Sequence, residues 1–430
     1  MPASGDWVTV GIDNGGTANN GTALDADGTF LIAEMAELPS LVREGPDKAI
    51  TALVDSFDKV LGMTGIQREK VRAVGLDTPG PASADGVLAT GGATNFGHPE
   101  WSRFNIRTAL EARLGVPVLY NNDGNAAALY AHHVRHGAQA EQRSSVSAIV
   151  GTGFGGGVIN DGRIVKGAAG MAGELGHMPI PMAGLLEADQ QLPSCNCGQF
   201  ADAESIASLT GIIRNLLPYW LARFPDHELA EVGIAKAAKL VRGYAERGDE
   251  MALEIFRQQA MAMGRVFSIA AKFTDPDTYF VGGGVIEAAP HFRDWFVATV
   301  KEHTELYVEQ AEIAEITLVP DLDMAGARGS AIAARDWLTG VDTGIQPAEL
   351  LSLGRRDDDD HGEAGRLLAV VAVAVRAAGR EPGALPRLDG MPFPGDGQGQ
   401  AARLDPDHLA GGRRVRVAAE LLARHHLPAP

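Results

Sequence analysis

Five short stretches of this 430-residue chain are dense in glycine or set acidic, thiol or imidazole side chains beside it, the residue types that handle a phosphate, a proton or a metal ion. The first is Asp13-Asn14-Gly15-Gly16-Thr17. Glycines there let backbone amides approach a phosphate with no Cβ in the way, and a strand-end aspartate can position a magnesium ion or its water shell. A hairpin turn closing on an aspartate explains the same residues. The second, Gly151-Thr152-Gly153-Phe154-Gly155-Gly156-Gly157, lacks the lysine of a GxxxxGK[ST] loop. Five glycines in seven residues still exceed what a plain hairpin carries, because glycine weakens a strand, so phosphate binding is the stronger reading.

The third stretch is Asn122-Asp123-Gly124-Asn125. Phosphoryl transfer to an alcohol needs a carboxylate near the hydroxyl to orient it and take its proton, a contribution of about 10²–10⁴-fold. Asp123 suits that task, yet a carboxylate between strand and helix is, by itself, first of all an N-cap. The fourth runs from Gly173-Glu174-Leu175-Gly176-His177 to Cys195-Asn196-Cys197, Asp202 and Glu204. Two thiolates and an imidazole supply three of the four ligands of a tetrahedral zinc site, and Asp202 is the natural fourth. Glu174 and Glu204 would then stand beside the metal loop, able to accept hydrogen bonds from sugar hydroxyls. Two reduced structural cysteines and two surface carboxylates are the plainer alternative. The fifth, Gly282-Gly283-Gly284 with Gly326 and Gly329, suits close approach to a flat base and ribose, and suits tight strand–helix turns equally well.

The elements around these stretches follow from periodicity. From Trp7 the pattern is strand, glycine turn, strand, turn, strand (WVTVGID, ANNGTALD, TFLIAEM), with Ala26-Asp27-Gly28 as a hairpin turn. A helix is expected over 47–61, where apolar residues recur at 3.6-residue spacing. The buried strand VRAVGLD (71–77), a helix near 106–114, the strand VPVLY and a helix from about Asn125 follow. At Ser145 the opening recurs as VSAIVGTG, FGGGVIND and GRIVKG, which points to duplication of a small α/β unit. A helical stretch covers 203–272. Then come the strand TYFVGG, a helix over 290–302, the strand ITLVP and the helix GARGSAIAARDWL. Beyond Trp337 the chain has many arginines, no lysine and a run of four aspartates, and too little apolar surface to offset ordering entropy, so a mostly disordered extension is expected over 339–430.

Composition removes several classes. A formal net charge of -18, with no Lys/Arg cluster in the first 340 residues, speaks against nucleic-acid binding. ATP is not excluded, since loop amides and a magnesium ion can meet the phosphate charge locally. Cys195 and Cys197 are the only cysteines, which fits a reducing cytoplasm. The opening MPASGDWVTVGID does not read as a signal peptide, and the stretch 367–375 is too short for a bilayer, so no membrane association is expected.

Taken in order, NDGNAAA at 122–128, GTGFGGG at 151–157, GMAGELGH at 170–177 and the stretch 195–204 resemble the ROK (repressor, ORF, kinase) family of sugar kinases and sugar-responsive repressors, over about residues 7–338. The resemblance implies a duplicated actin/hexokinase-like (ribonuclease H-like) α/β fold in two lobes with the active site in the cleft. Residues 1–123 would form the small lobe, rejoined by the helix at 325–338, and 124–324 the large lobe. It implies Asp123 as general base, and Asp13, Gly15, Gly16, Thr17, Gly151, Thr152, Gly153 and Gly155 as handlers of phosphates and magnesium, with Gly283 and Gly284 at the nucleotide. Asn95, Asn122, Asp123, Glu174, His177 and Glu204 would hold the sugar, and His177, Cys195, Cys197 and Asp202 a structural zinc. The family's third cysteine is Asp202 here, and Ala18-Asn19-Asn20 lacks a basic residue common after the first loop. With the first strand starting near Trp7, the helix-turn-helix of the family's repressors is not expected here. The expected function is ATP-dependent phosphorylation of a hexose hydroxyl, glucose by default, in a cytoplasmic homo-oligomer, a dimer or tetramer. A kinase of a sugar-like C7-cyclitol is the nearest alternative, then a non-catalytic sugar sensor. An actin-like ATPase is the last, since it would leave Glu174, His177, Cys195, Cys197 and Glu204 without purpose.

Overall fold

A computed structural model describes residues 7–80, 82–83, 85–88, 96–321 and 324–345. All of these fall in the unit spanning Met1–Gly379, and the second unit, Arg380–Pro430, lies outside the described residues, as does Asn95.

The first half is a meander followed by two crossovers. β1 (Val8–Asn14) is buried almost throughout because both its faces are covered, and it pairs antiparallel with β2 (Ala18–Asp25). β3 (Ala36–Pro39) returns along β2, with Ala18 opposite Pro39 and Gly21 opposite Ala36. This corrects the strand expected over TFLIAEM. Phe30 makes only an isolated bridge to Leu24, after which the chain bends away and pairs further back along β2. Helix α1 (Pro46–Thr64) then buries Ile50, Leu53, Phe57 and Val60 and stops at Gly65, whose left-handed conformation closes its end. β4 (Val71–Thr78), α2 (Ile106–Leu114) and β5 (Val118–Asn122) complete a sheet of order β3-β2-β1-β4-β5. Helix α3 (Asp123–His136) leaves directly from β5.

The second half repeats the plan. β6 (Ser145–Val150), β7 (Phe154–Asn160) and β8 (Arg163–Ile164) form the meander. A helical stretch follows, broken into α4 (Glu204–Ala207), α5 (Leu209–Gly211) and α6 (Leu217–Arg223). The break has a local cause: Ser208 is extended and its hydroxyl caps the next turn by accepting the Gly211 N–H, after which the chain passes through a π turn at Ile212–Leu216 just ahead of Pro218, which offers no N–H. Helices α7 (Ile234–Ala245) and α8 (Glu250–Thr274) lead to β9 (Thr278–Gly283), and α9 (Pro290–Glu302) and α10 (Val308–Ala311) lead to β10 (Glu315–Leu318). The sheet order is β10-β9-β6-β7-β8, the order of the first sheet with each strand replaced by its counterpart. The duplication read in the sequence is thus present strand for strand.

Helix α11 (Ala325–Thr339) crosses back onto the first sheet. It lies so close that a Cβ on Gly75 of β4 would stand 1.9 Å from Ser330 O. Glycine there sets the depth of the helix and hence the position of the Ser330 hydroxyl. Between the sheets, α11 and α3 share a core of small residues, including Ala127, Ala128, Ala331 and Ala334. Of the extension expected from 339, only 339–345 is described. There Thr343 O accepts the Ile164 N–H at 2.9 Å and Ile345 is buried. No helix among the described residues is long and apolar enough to cross a membrane.

Candidate active site

Three adjacent parallel strands of the first sheet end in polar residues on one row: Asp13 of β1 lies opposite Asp77 of β4, and Asp77 opposite Asn121 of β5. Asp77 is fully buried. Its Oδ2 accepts the Ser330 hydroxyl at 2.7 Å, and its Oδ1 has no partner. Burial, followed by the charge of Asp13, holds the Asp77 carboxyl well above the usual range. Burial raises Asp13 too, against hydrogen bonds with Asp77 and with the Asn20 amide, 3.3 Å away. Two carboxyls side by side in such a place favour a proton or a cation between them.

Asp123 follows one residue past the end of β5. The capping role that competed for it belongs to Asn122, whose Oδ1 accepts the Asn125 N–H at 2.8 Å. Asp123 Oδ1 accepts only the next residue's N–H, at 2.7 Å. The residue is exposed, yet protein crowds its carboxyl. That crowding, then the charges of Asp13 and Glu174, push its pKa up to about 7. Asn122 Nδ2 and Glu174 Oε1 converge beside Gly80, each 3.9 Å from where a Cβ there would stand. Burial raises the Glu174 carboxyl as well, with His177 pulling it down and Glu204 adding to the rise.

Next to Glu174 the sequence-predicted metal ligands come together. One donor atom each from His177, Cys195, Cys197 and Asp202 lie within 4.8 Å of one another. His177 Nδ1 is 3.3 Å from Asp202 Oδ2 and 3.8 Å from Cys195 Sγ, and Cys197 Sγ is 3.4 Å from the same Asp202 oxygen. Tetrahedral zinc with bonds of about 2.0–2.3 Å sets its ligands roughly 3.3–3.8 Å apart, so the donor set and its spacing fit that ion. The Asp202 carboxylate pushes His177 up to about 9, a positive charge that a metal ion would supply in its place. Glu204 turns toward the other loop: its Oε2 accepts the Phe154 N–H at 2.9 Å, and its Oε1 is 3.6 Å from Cys195 Sγ.

The two glycine loops join β1 to β2 and β6 to β7. In the first, Gly15 N–H closes on Ala18 O at 2.9 Å, and Thr17 is exposed. In the second, Gly151 N–H closes on Gly153 O at 2.9 Å, and Gly151, Thr152 and Gly155 are exposed. Beside Gly151 opens a groove of about 250 Å³ walled by Leu209, Ile212, Phe256 and Phe296, with Gly282 and Gly284 along its edge. Gly283 behind it has a φ of 101° and would place a Cβ 1.9 Å from Val150 O, so only glycine brings the chain into that groove. Sequence reasoning missed Asp77, whose place at the end of a buried strand beside Asp13 was the available signal. It also missed the walls at Leu209 and Ile212, for which helical periodicity offers none.

A family model described as the ROK family matches residues 9–336. A glucokinase from Halalkalibacterium halodurans is 31% identical over 328 residues, spanning 74% of this chain and 92% of that enzyme. An N-acetylmannosamine kinase from Citrobacter koseri is 31% identical over 280 residues, spanning 64% of this chain and 83% of that one. The crystal structure of a ROK hexokinase from Thermus thermophilus matches with a TM-score of 0.61 at 28% identity, covering 77% of this chain and 99% of that one. Two mixed sheets of the same strand order, matched along the whole of that hexokinase, make this the two-lobed actin/hexokinase-like fold. With the family model spanning nearly all of the described residues, from β1 into α11, the chain belongs to the ROK family.

Proposed function

We propose that this chain is an ATP-dependent sugar kinase that phosphorylates a hexose hydroxyl, with Asp123 as general base. The observation that carries the reading is the state of Asp123. Asn122 relieves it of helix capping, its pKa is raised to about 7, and its electrostatic neighbours are Asp13 at the first glycine loop and Glu174 beside the metal ligands. A base working near neutral pH needs such a value, and a base for phosphoryl transfer needs to stand between phosphate and acceptor.

The acceptor hydroxyl would sit against Asp123, with Asn122, Glu174, His177 and Glu204 receiving and donating hydrogen bonds to the ring hydroxyls. As the hydroxyl oxygen bonds to the γ-phosphorus, the bond from phosphorus to the bridging oxygen of ADP breaks, and the hydroxyl proton passes to the Asp123 carboxylate. The amides of 15–17 and 151–153 would cradle the phosphates, and the groove beside Gly151 would take the base. Asp13, with Asp77 next to it, is the fitting place for the magnesium that arrives with ATP, because burial raises the pKa of both carboxyls and the charge of Asp13 raises Asp77 further, a pair that a cation would relieve. That ion would neutralise developing charge on the phosphates. His177, Cys195, Cys197 and Asp202 would hold zinc, which would fix the His177 ring and the 195–202 segment. The small lobe would comprise 1–123 with α11, and the large lobe 124–324.

Glucose is the first acceptor to test, on the strength of the glucokinase relative, and N-acetylmannosamine the second. The experiment is ADP release by the purified chain with MgATP across hexoses, N-acetylhexosamines and cyclitols. Turnover on one acceptor class, abolished in Asp123→Ala, is expected. Equal behaviour of wild type and variant on every acceptor overturns the reading.

A further inference from the structure

The metal-ligand segment and the second glycine loop are not merely neighbours. Asp202 divides its carboxylate between them. Oδ2 faces the His177 and Cys197 donors, while Oδ1 accepts the Ser205 N–H at 2.9 Å, and Ser205 Oγ donates back to Asp202 O at 2.6 Å. That exchange fixes the start of α4. The first residue of α4 is Glu204, whose Oε2 accepts the Phe154 N–H. The contact is close enough that a Cβ on Gly153 would stand 2.9 Å from the same oxygen. Five residues on, Leu209 N–H donates to Gly151 O at 3.0 Å, and Thr210 donates to Thr152 O through both its N–H (3.2 Å) and its hydroxyl (2.8 Å). The segment 202–210 is therefore a strut. One end belongs to the metal donors, and the other holds the peptide groups of Gly151, Thr152 and Phe154. A loop with this much glycine is expensive to order, so what braces it decides how much of that entropy remains to be lost when a ligand binds.

We infer that the metal centre acts on the nucleotide as well as on the sugar: ligation at Asp202 stiffens the 202–210 strut, which preorganises loop 151–154, so that metal loading and nucleotide binding are positively coupled. Glu204 is the positioning residue of this coupling. It reaches the phosphate loop on one side and the Cys195 thiol on the other. Coupling is reciprocal, so nucleotide should in turn tighten metal binding by the same factor. The inference rests on the reading of 151–154 as a phosphate loop, but its mechanical half does not.

The test uses the full chain, zinc-loaded and then stripped by a chelator. Two quantities are measured: calorimetric binding of a non-hydrolysable ATP analogue with magnesium, and amide hydrogen exchange over 150–156. Stripping is expected to weaken nucleotide binding by about 5–150-fold, the range of ordinary allosteric coupling, and to raise exchange at 151–154. Glu204→Ala should keep its zinc yet bind nucleotide as weakly as the stripped wild type. Glu204→Gln, which retains an oxygen for the Phe154 N–H, should recover most of the difference. Unchanged exchange on stripping overturns the coupling whatever the nucleotide does, and so does a chain that takes up no zinc. If exchange responds but no nucleotide binds in either state, the phosphate-loop reading fails while the strut stands.

Discussion

The sharpest consequence of the site is a proton titration in the rate. With the Asp123 carboxyl at about 7, roughly nine-tenths of it is ionised at about pH 8 and roughly one-tenth at about pH 6. Only the ionised form can take a proton from the sugar hydroxyl, so kcat/KM should fall about tenfold across that interval. A carboxyl at its ordinary value near 4 would leave the rate flat over the same range. The measurement is kcat/KM for the accepted sugar at saturating MgATP, from about pH 5.5 to about pH 8.5, beside the same profile for Asp123→Asn. The variant should lose on the order of 10²–10⁴ in rate and should lose the acid limb with it. A flat wild-type profile refutes the reasoning, and so does an acid limb that survives in the variant, since the titrating group would then be another, such as Glu174, whose pKa is also raised.

Asp77→Asn should stabilise the nucleotide-free protein above neutral pH. The folded pKa of Asp77 lies above its unfolded value, so stability is highest below the unfolded pKa of about 4 and declines as pH rises through the folded one. The amide cannot ionise, can still accept the Ser330 hydroxyl, and should add on the order of 1–3 kcal/mol at about pH 8 and little at about pH 4. Thermal unfolding at both values decides it, and an equal loss at the two would sink the argument. Gly75→Ala should destabilise by about 3 kcal/mol or more in urea titrations, because its Cβ has nowhere to go but Ser330 O at 1.9 Å. Cys195→Ser should lower bound zinc below one per chain by elemental analysis, and unchanged content would remove this residue from the donor set. Leu209→Asp, which puts a charge into the wall beside Gly151, should raise KM for ATP at least about tenfold with the sugar KM little changed. A rise in the sugar KM alone would move the base out of this groove.

Much of the frame was legible because its elements are locally self-consistent. β1 and β4 carry enough buried apolar residues to read as strands (Val8, Val10 and Ile12; Val71, Ala73, Val74 and Leu76), α2 and α9 begin where the residue types say they should, and the strand–glycine–strand opening recurs visibly at 145. What stayed hidden depends on contacts remote in sequence. TFLIAEM has the composition of a strand, but the partner edge on β2 is taken instead by Ala36–Pro39. Asp123 and Asn122 both have the chemistry of a cap, and only the geometry of the β5–α3 junction awards the cap to Asn122. The four donors His177, Cys195, Cys197 and Asp202, which the structure brings within reach of one ion, were legible as a set because their residue types are specific. The bond from Glu204 to Phe154, fifty residues apart, has no signature in either segment.

The duplicated halves explain why the chemistry is divided as it is. The last rows of the two sheets correspond: Asp13 pairs with Asp77 where, in the second sheet, Ile149 pairs with Gly282. One frame therefore carries two opposite surfaces at equivalent strand ends. In the first sheet the row is acidic, and its crowding raises Asp13 and Asp77 and reaches Asp123, which makes that end suited to a cation and to proton transfer. In the second sheet the row is apolar and glycine-lined, and it opens on a groove of mainly apolar walls whose only charged lining residues, Lys239 and Arg242, are cations. A nucleotide asks for both, an apolar berth for its base and a cation at its far phosphates, and a substrate spanning the two rows would bring its terminal phosphate to the acidic one. Exchanging the rows tests this directly: Gly282→Asp should harm nucleotide binding, and Asp77→Gly should weaken the dependence on magnesium while leaving the groove intact. If Asp77→Gly instead lowered affinity for the base as measured with adenosine alone, the division of labour between the halves would be wrong.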